Sequence, residues 1–223
     1  MLLFAADTSG KHGSITLAQG NDDGSCKVIE VLPLAGGTFS AQLVPQLAAL
    51  LSKHGFRKQD IGGFAVASGP GSFTGLRVGL AAIMALGEVM DRPIAAVSLL
   101  EAVASTAKTR GTVLAALDAG RDQVYVGRYE VGERTKLIDE RLLMRQEFLT
   151  EARGRRVVTP EESIARAAGE AGFAVERVEH PLSDTIARLG WGKILLGQTV
   201  SPEDLEANYL RRSDAEIFSK SIS

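Results

Sequence analysis

Three stretches of this chain carry residue types that could do chemistry. The first is Ser68-Gly69-Pro70-Gly71-Ser72-Phe73-Thr74-Gly75-Leu76-Arg77-Val78-Gly79-Leu80. Glycines permit positive φ and close backbone approach. A helix start presents N–H groups that hold an anion or a partner's acceptors. The stretch lacks the Lys-Ser/Thr that completes a P-loop, and its glycines do not have dinucleotide-binding spacing. It reads either as a phosphate cradle or as a helix start capped by Ser72 or Thr74. Arg77 falls in the first turn, where a cation opposes the helix dipole, so it is expected to contact an anion or a carboxylate. The second stretch, Asp7-Thr8-Ser9, ends a short apolar run. An Asp there could orient a metal or water beside a phosphate, or could hold an Asx turn. Asp118 is the third candidate; it occupies the analogous place in a later echo of the same pattern and has the same two readings.

Other chemistries lack their groups. His12, His54 and His180 are scattered. No His-x-x-x-His or His-Glu-x-x-His spacing exists to build a metallopeptidase or zinc site, so no metal is expected. There is no Gly-x-Ser-x-Gly elbow. Cys26, the one cysteine, excludes an intramolecular disulfide and a Cys-based metal site, and no basic cluster flanks it to lower its pKa. No catalytic residue and no cofactor is expected.

The elements that position these residues follow from periodicity. Residues 2–6, 14–18 and 27–32 read as a three-stranded antiparallel meander. Ser40 is expected to cap a helix bearing Leu43, Leu47, Leu50 and Leu51 on one face, with Pro45 near its first turn. A buried strand at 64–67 feeds the glycine-rich loop and a helix from Thr74 to about Asp91. A strand at 94–97 and a helix over 98–108 come next. Residues 112–120 and 123–129 then echo residues 2–10 and the strand after them, a weak internal duplication. Helices are expected over 160–170 and 184–191, with a turn at 201–205. The chain thus reads as two related α/β lobes, residues 1–100 and residues 101–223, with the end from Arg211 frayed.

The helix from Thr74 is apolar nearly all round, through Leu76, Val78, Leu80, Ile83, Met84, Leu86 and Val89, with Gly75, Gly79 and Gly87 interspersed. Such a helix is buried inside its own domain or against another chain. Beside the Leu43 helix, it could offer one patch for a four-helix contact.

Bulk properties set limits. The 223 residues are 45% hydrophobic and 23% charged, as in ordinary globular chains. A net charge of −2 gives no global attraction to nucleic acid. The N-terminus has no basic region ahead of its apolar run, against a signal peptide. The longest apolar run, Val78 to Leu86, is about half a membrane span. A cytoplasmic location without membrane contact is expected.

The word from Ser68 to Gly79 resembles the hallmark of the TsaB (YeaZ) family of tRNA threonylcarbamoyladenosine biosynthesis. Ala6-Asp7-Thr8-Ser9, Leu117 to Tyr125, and Glu206-Ala207-Asn208-Tyr209-Leu210-Arg211 resemble that family's opening, second-lobe start and terminal motif. In the last, Ala207-Asn208 replaces the usual Pro-Val-like pair.

The resemblance implies an actin-like (ASKHA) ATPase fold of two ribonuclease-H-like lobes, each a mixed sheet flanked by helices. It implies a non-catalytic subunit, grouped with M22 glycoproteases, that pairs with the TsaD-like enzyme. A TsaE-like ATPase is expected to join, tRNA to be met only through the complex, and a homodimer to form when the chain is alone. The implied partner surface falls on Leu43, Leu47, Leu50, Thr74, Leu76, Arg77, Gly79, Leu80, Ile83 and Met84, so a charge at Leu80 or Ile83 should abolish pairing. Asp7, Thr8, Ser9 and Asp118 would be a vestigial phosphate site. Thr38-Phe39-Ser40 lacks the His pair of TsaD-type metal sites, and also the single His common in relatives. Gly190-Trp191-Gly192 is a poor match to the expected nucleotide motif. An M22-type peptidase and a weak nucleotide-binding module are the alternative readings.

Overall fold

A computed structural model describes residues 1–210 of the chain. The end of the chain from Arg211, expected to be frayed and including the last residue of the terminal motif, lies outside the described residues. Two compact units are present: residues 1–102 with 180–207, and residues 103–179 with 208–210.

The first unit opens with the expected meander. β1 (Leu2–Asp7), β2 (Gly13–Gly20) and β3 (Cys26–Leu34) pair antiparallel, β1 with β2 and β2 with β3. β4 (Ile61–Gly69) then lies parallel to β1, and β5 (Ile94–Ser98) parallel to β4, giving the order β3-β2-β1-β4-β5. α1 (Phe39–Lys53) and α2 (Phe73–Met90) cover one face of this sheet. Between them and the sheet lies a core of Leu2, Phe4, Ile15, Leu17, Phe64 and Val66 with Leu43, Leu47, Leu76 and Ile83. Each such side chain, fully buried, contributes about 1.5–3 kcal/mol. Phe4 and Phe64 meet edge to face, 6.4 Å between ring centroids.

The second unit repeats the design. β6 (Gly111–Gly120), β7 (Gln123–Val131) and β8 (Thr135–Met144) form a second antiparallel meander. α4 (Arg145–Glu151) follows. β9 (Arg156–Thr159) lies parallel to β6, and β10 (Val175–Arg177) parallel to β9, with α5 (Glu162–Glu170) between them. The order β8-β7-β6-β9-β10 reproduces the first sheet strand for strand. The duplication read from a few residues is therefore carried through the whole topology, and both units have the ribonuclease-H-like arrangement of an actin-like fold. The β6–β7 turn places Arg121 and Asp122 at φ 53° and 59°, as a two-residue type I′ hairpin requires. Arg128, Asp139, Arg141 and Glu151 form an ion-pair network tying β7, β8 and α4.

Several boundaries differ from the sequence reading. α1 starts at Phe39, one residue before Ser40, and Thr38 takes the N-cap position without a side-chain cap bond. Pro45 lies inside this helix, deeper than expected. α3 (Leu99–Ser105) stops short of 108. β8, α4, β9 and β10 were not anticipated: β8's apolar residues are half-buried or exposed, and α4, β9 and β10 are only seven, four and three residues long. α2 is a full 18 residues, long and apolar enough by composition to cross a membrane, whereas its longest unbroken apolar run is half of that. In this structure α2 lies along β4 and β1, and its buried residues join the core.

The most consequential difference concerns α6 (Ser183–Leu195). The sequence placed this segment in the second lobe; it belongs to the first unit. It covers the face of the first sheet opposite α1 and α2. The physical reason is a lane of small residues. A Cβ on Gly190 would stand 2.3 Å from Ala65 Cβ and 3.6 Å from Ala95 Cβ. Trp191 lies against Gly20 and donates its indole N–H to the Asn21 carbonyl at 3.1 Å. Ser183 completes the seat: its hydroxyl bonds Thr16 at 2.7 Å and its N–H donates to the Ser14 hydroxyl at 2.9 Å. Gly190-Trp191-Gly192 is thus a packing motif here. Gly190→Val should force α6 off the sheet at about the 1–3 kcal/mol of an overpacked core. Thermal unfolding should then show a Tm lower by about 5 °C; an unchanged Tm would refute the close approach.

Candidate functional site

The Ser68–Gly79 word folds as a strand end, a tight loop and the first two turns of α2. Gly69 sits at φ 114°, open only to glycine, and the Gly69–Pro70 peptide is cis. Ser72 is the N-cap of α2, its hydroxyl accepting from the Gly75 N–H at 3.3 Å. The capped-start reading holds, with Ser72 rather than Thr74 as the cap.

The glycines serve a contact with the end of β1. The Ser72 N–H donates to the Ser9 carbonyl at 2.7 Å, and the Thr8 hydroxyl donates to the Gly75 carbonyl at 2.7 Å. A Cβ on Gly75 would lie 2.1 Å from the Thr8 carbonyl oxygen. One on Gly79 would lie 2.4 Å from the Thr8 hydroxyl, and one on Gly71 2.7 Å from the Ser9 carbonyl oxygen. The backbone oxygens facing Gly71 and Gly75 cannot move aside, and the Thr8 hydroxyl facing Gly79 is held by its bond to the Gly75 carbonyl, so α2 reaches this seat with glycine at these places.

The Asp7-Thr8-Ser9 turn is closed on itself. Asp7 Oδ1 accepts from the Ser9 N–H at 2.9 Å and from the Ser9 hydroxyl. Asp7, Thr8 and Ser9 are all buried. Burial pushes the Asp7 carboxyl up from its usual range, against the Ser9 hydrogen bonds and the His180 charge. Asp118 is exposed, and its Oδ1 accepts from the Gly120 N–H at 2.8 Å. Both aspartates therefore have the Asx-turn geometry. Among the described residues, His, Cys, Asp and Glu gather in no group of three that could hold a metal. Cys26 is half-buried at the start of β3, and burial raises its thiol pKa.

On its outer side α2 meets α1 across an open groove of about 490 Å³. It is lined by Ser40, Leu43 and Val44 from α1 and by Phe73, Thr74, Arg77, Val78, Ala81 and Ala82 from α2. Val44 and Phe73 are 50% and 44% exposed, high for large apolar side chains. Arg77 lays its guanidinium over the Phe73 ring, 3.6 Å from the centroid, a cation–π stack that holds the charge at the groove despite the helix dipole.

The structure divides the ten expected surface residues by face. Leu43, Leu47, Leu50, Leu76, Leu80, Ile83 and Gly79 point into the core. Thr74 and Arg77 are exposed, and Met84 is half-buried against the core. A charge at Leu80 or Ile83 would therefore break the fold before it reached a partner. Ser40, Val44, Val78, Ala81 and Ala82 were missed. The glycines could have found them: Gly75 and Gly79 mark the side of closest approach, and residues 74, 77, 78 and 81 lie opposite.

Comparison with known proteins agrees with this geometry. The model of a family described as TsaD, tRNA N6-adenosine threonylcarbamoyltransferase, matches residues 33–187, well over half of the chain. Curated relatives are the tRNA threonylcarbamoyladenosine biosynthesis proteins TsaB of Bacillus subtilis and Haemophilus influenzae. The former is 28% identical over 97% of this chain and 96% of its own length; the latter is 28% identical over 78% and 71%. The chain belongs to the TsaD family, in its TsaB (YeaZ) branch. The solved YeaZ of Pseudomonas aeruginosa shares the fold, with a TM-score of 0.73 at 23% identity over 93% of this chain and all of that one. In this TsaB-family chain, the hallmark glycines are the ones that dock α2 on β1.

The Asp7 environment fixes a pH dependence. A carboxyl raised by burial favours its neutral form. Its contribution to stability is full below the unfolded pKa and is lost as pH rises through the folded value. Asp7→Asn keeps an acceptor for Ser9 without the buried charge. It should raise Tm by about 2 °C or more at pH 8, with the difference vanishing below about pH 4. A wild-type advantage growing with pH would show that the ionised carboxylate is the favoured form.

Proposed function

We propose that this chain is a non-catalytic subunit of tRNA threonylcarbamoyladenosine synthesis that docks a TsaD-like catalytic partner on its α1–α2 groove. The groove carries the reading. It is lined mostly by apolar residues and built on two helices whose other faces are locked into a core. An apolar groove between helices is a recurrent seat for an amphipathic helix, which buries its apolar face there. The names of the relatives supply the reaction system, and the matching family model supplies the kind of partner. The non-catalytic role is supported by the residues nearest to a phosphate site: the Asp7 carboxylate is engaged by Ser9 within its own turn, and the Thr8 hydroxyl and Ser9 carbonyl hold the end of β1 to α2. Without the partner, the same groove serves a second copy of the chain. A net charge of −2 leaves tRNA binding to the complex, where the partner supplies the attraction.

The test uses a groove position whose substitution leaves the core intact. Ala81 is exposed and lines the groove, so Ala81→Glu should leave Tm within a degree or two. A buried, unpaired carboxylate at the interface should weaken binding to the TsaD-like partner at least tenfold, about 1.4 kcal/mol, and threonylcarbamoylation of tRNA should fall in parallel. Val89→Glu, at an 85% exposed position outside the groove lining, should change neither. Undiminished pairing of the Ala81→Glu chain would remove the groove from the interface.

A further inference from the structure

The second unit carries its charge unevenly along its sheet. β6, β9 and β10 run parallel and begin at one end. The β7–β8 turn lies at the same end, because Val131 pairs with both Gly111 and Thr135. Four basic side chains gather there. Lys108 and Arg110 precede β6, Arg134 is in the β7–β8 turn, and Arg153 is in the turn before β9. All four are exposed, and none is ion-paired to a described residue. Arg110 and Arg153 leave the sheet end from adjacent strands: Val113 stands opposite Arg156, and each arginine lies three residues ahead of that pair. The backbone N–H of Lys108 donates to Glu176 of β10 at 2.6 Å, so the row runs from the β7–β8 turn to β10. Strands lie about 4.8 Å apart, which makes the row about 19 Å long.

The carboxylates at this end are mostly engaged. Glu176 also accepts from the Thr109 hydroxyl at 2.6 Å. Glu151 is ion-paired to Arg128, Arg141 and Arg155. Glu130 accepts from the Thr112 hydroxyl at 2.8 Å and stands opposite Lys136. Glu133 and Glu170 are exposed. Glu133 adjoins Arg134, which leaves Arg110 and Arg153 as the centre of positive charge. At the other end of the same sheet the pattern reverses: Arg145 is paired with Asp122, and Arg177 with Glu162.

A row of exposed cations without carboxylate partners is what a phosphate backbone requires, and this row is long enough to meet several phosphates. A protein partner fits it less well. Residues 108–110, 132–134 and 153–155 include no apolar residue, whereas the centre of a protein interface is depleted of charge and built on apolar and aromatic side chains.

We propose that this end of the second unit lies along the phosphate backbone of tRNA when the complex binds it, with Arg110 and Arg153 at the middle of the contact. That the RNA is a tRNA rests on the function proposed above. The contact is local and adds to the attraction supplied by the partner, because the chain as a whole carries a net charge of −2.

Two double variants separate position from net charge. Arg110→Gln with Arg153→Gln removes two cations from the row. Lys27→Gln with Lys58→Gln removes two exposed cations from the first unit. In the complex with the TsaD-like partner, the arginine pair should weaken tRNA binding at least tenfold at about 50 mM salt, and the slope of log K against log salt should become shallower by about 2. kcat at saturating tRNA should be unchanged, because a backbone contact positions the RNA and touches no reacting atom. The lysine pair should leave affinity within twofold and the slope unaltered. Equal effects of the two pairs would overturn the proposal. So would a loss of partner affinity in a titration without tRNA, which would make this end a protein interface. If the wild-type chain binds no TsaD-like protein, the function proposed above fails and the chain alone still decides. At about 20 mM salt its weak tRNA binding, with a Kd of about 10⁻⁴ M, should be lost with the arginine pair and kept with the lysine pair. There, no binding by the wild-type chain, or no difference between the two pairs, would overturn the proposal.

Discussion

The first unit depends on one contact, the approach of α2's first two turns to the Thr8–Ser9 backbone at the end of β1. Three glycines stand where a methyl group would lie 2.1 to 2.7 Å from an oxygen of Thr8 or Ser9. Two hydrogen bonds, Ser72 to Ser9 and Thr8 to Gly75, fix the approach laterally. Everything outward of α2 inherits its position from this contact. Leu76, Leu80 and Ile83 meet the sheet because Gly75 and Gly79 bring the helix down onto it. Residues 77, 78 and 81 line the groove because they lie on the opposite side. A loop word that looks like a phosphate cradle is here the means of seating a helix.

The same contact engages the groups that could otherwise do chemistry. A strand ending in Asp beside a helix N-terminus has the makings of phosphate or metal chemistry. In this chain the carboxylate accepts from Ser9, and the Thr8 hydroxyl is given to a backbone carbonyl. Burial then disfavours the ionised carboxylate that a cation or water would need. The second unit keeps the Asx turn at Asp118, exposed and bonded to its own hairpin. Identical topology in the two units has thus been used for architecture at both aspartates.

The sequence was most legible where physics is local. The antiparallel meander, the α1 face of leucines, the Ser72 cap and the echo beginning at residue 112 follow from alternation, helical spacing and turn residues. It was least legible where placement depends on distant partners. α6 sits on the first sheet because Gly190 meets Ala65 and Trp191 meets Gly20, contacts between residues more than a hundred positions apart. β9 and β10 are four and three residues long, too short for a period to show. β8 is largely half-exposed, with Leu137 and Ile138 pointing to solvent, so its pattern does not alternate cleanly.

The groove shows the same limit in its sharpest form. α2 is apolar on nearly every side, so hydrophobic periodicity cannot say which side meets the sheet and which lines the open groove. Reading its large residues as the interface selected Leu80 and Ile83, the ones the core needs most. The orientation is carried by the residues with no side chain at all. Glycine placed on a helix costs about 1 kcal/mol against alanine, and in α2 the cost is offset at Gly75 and Gly79 by a seat no other residue fits. Where a helix is apolar all round, its small residues mark the buried side by closest approach. The face left open is then the side of modest residues, such as Thr74, Val78, Ala81 and Ala82.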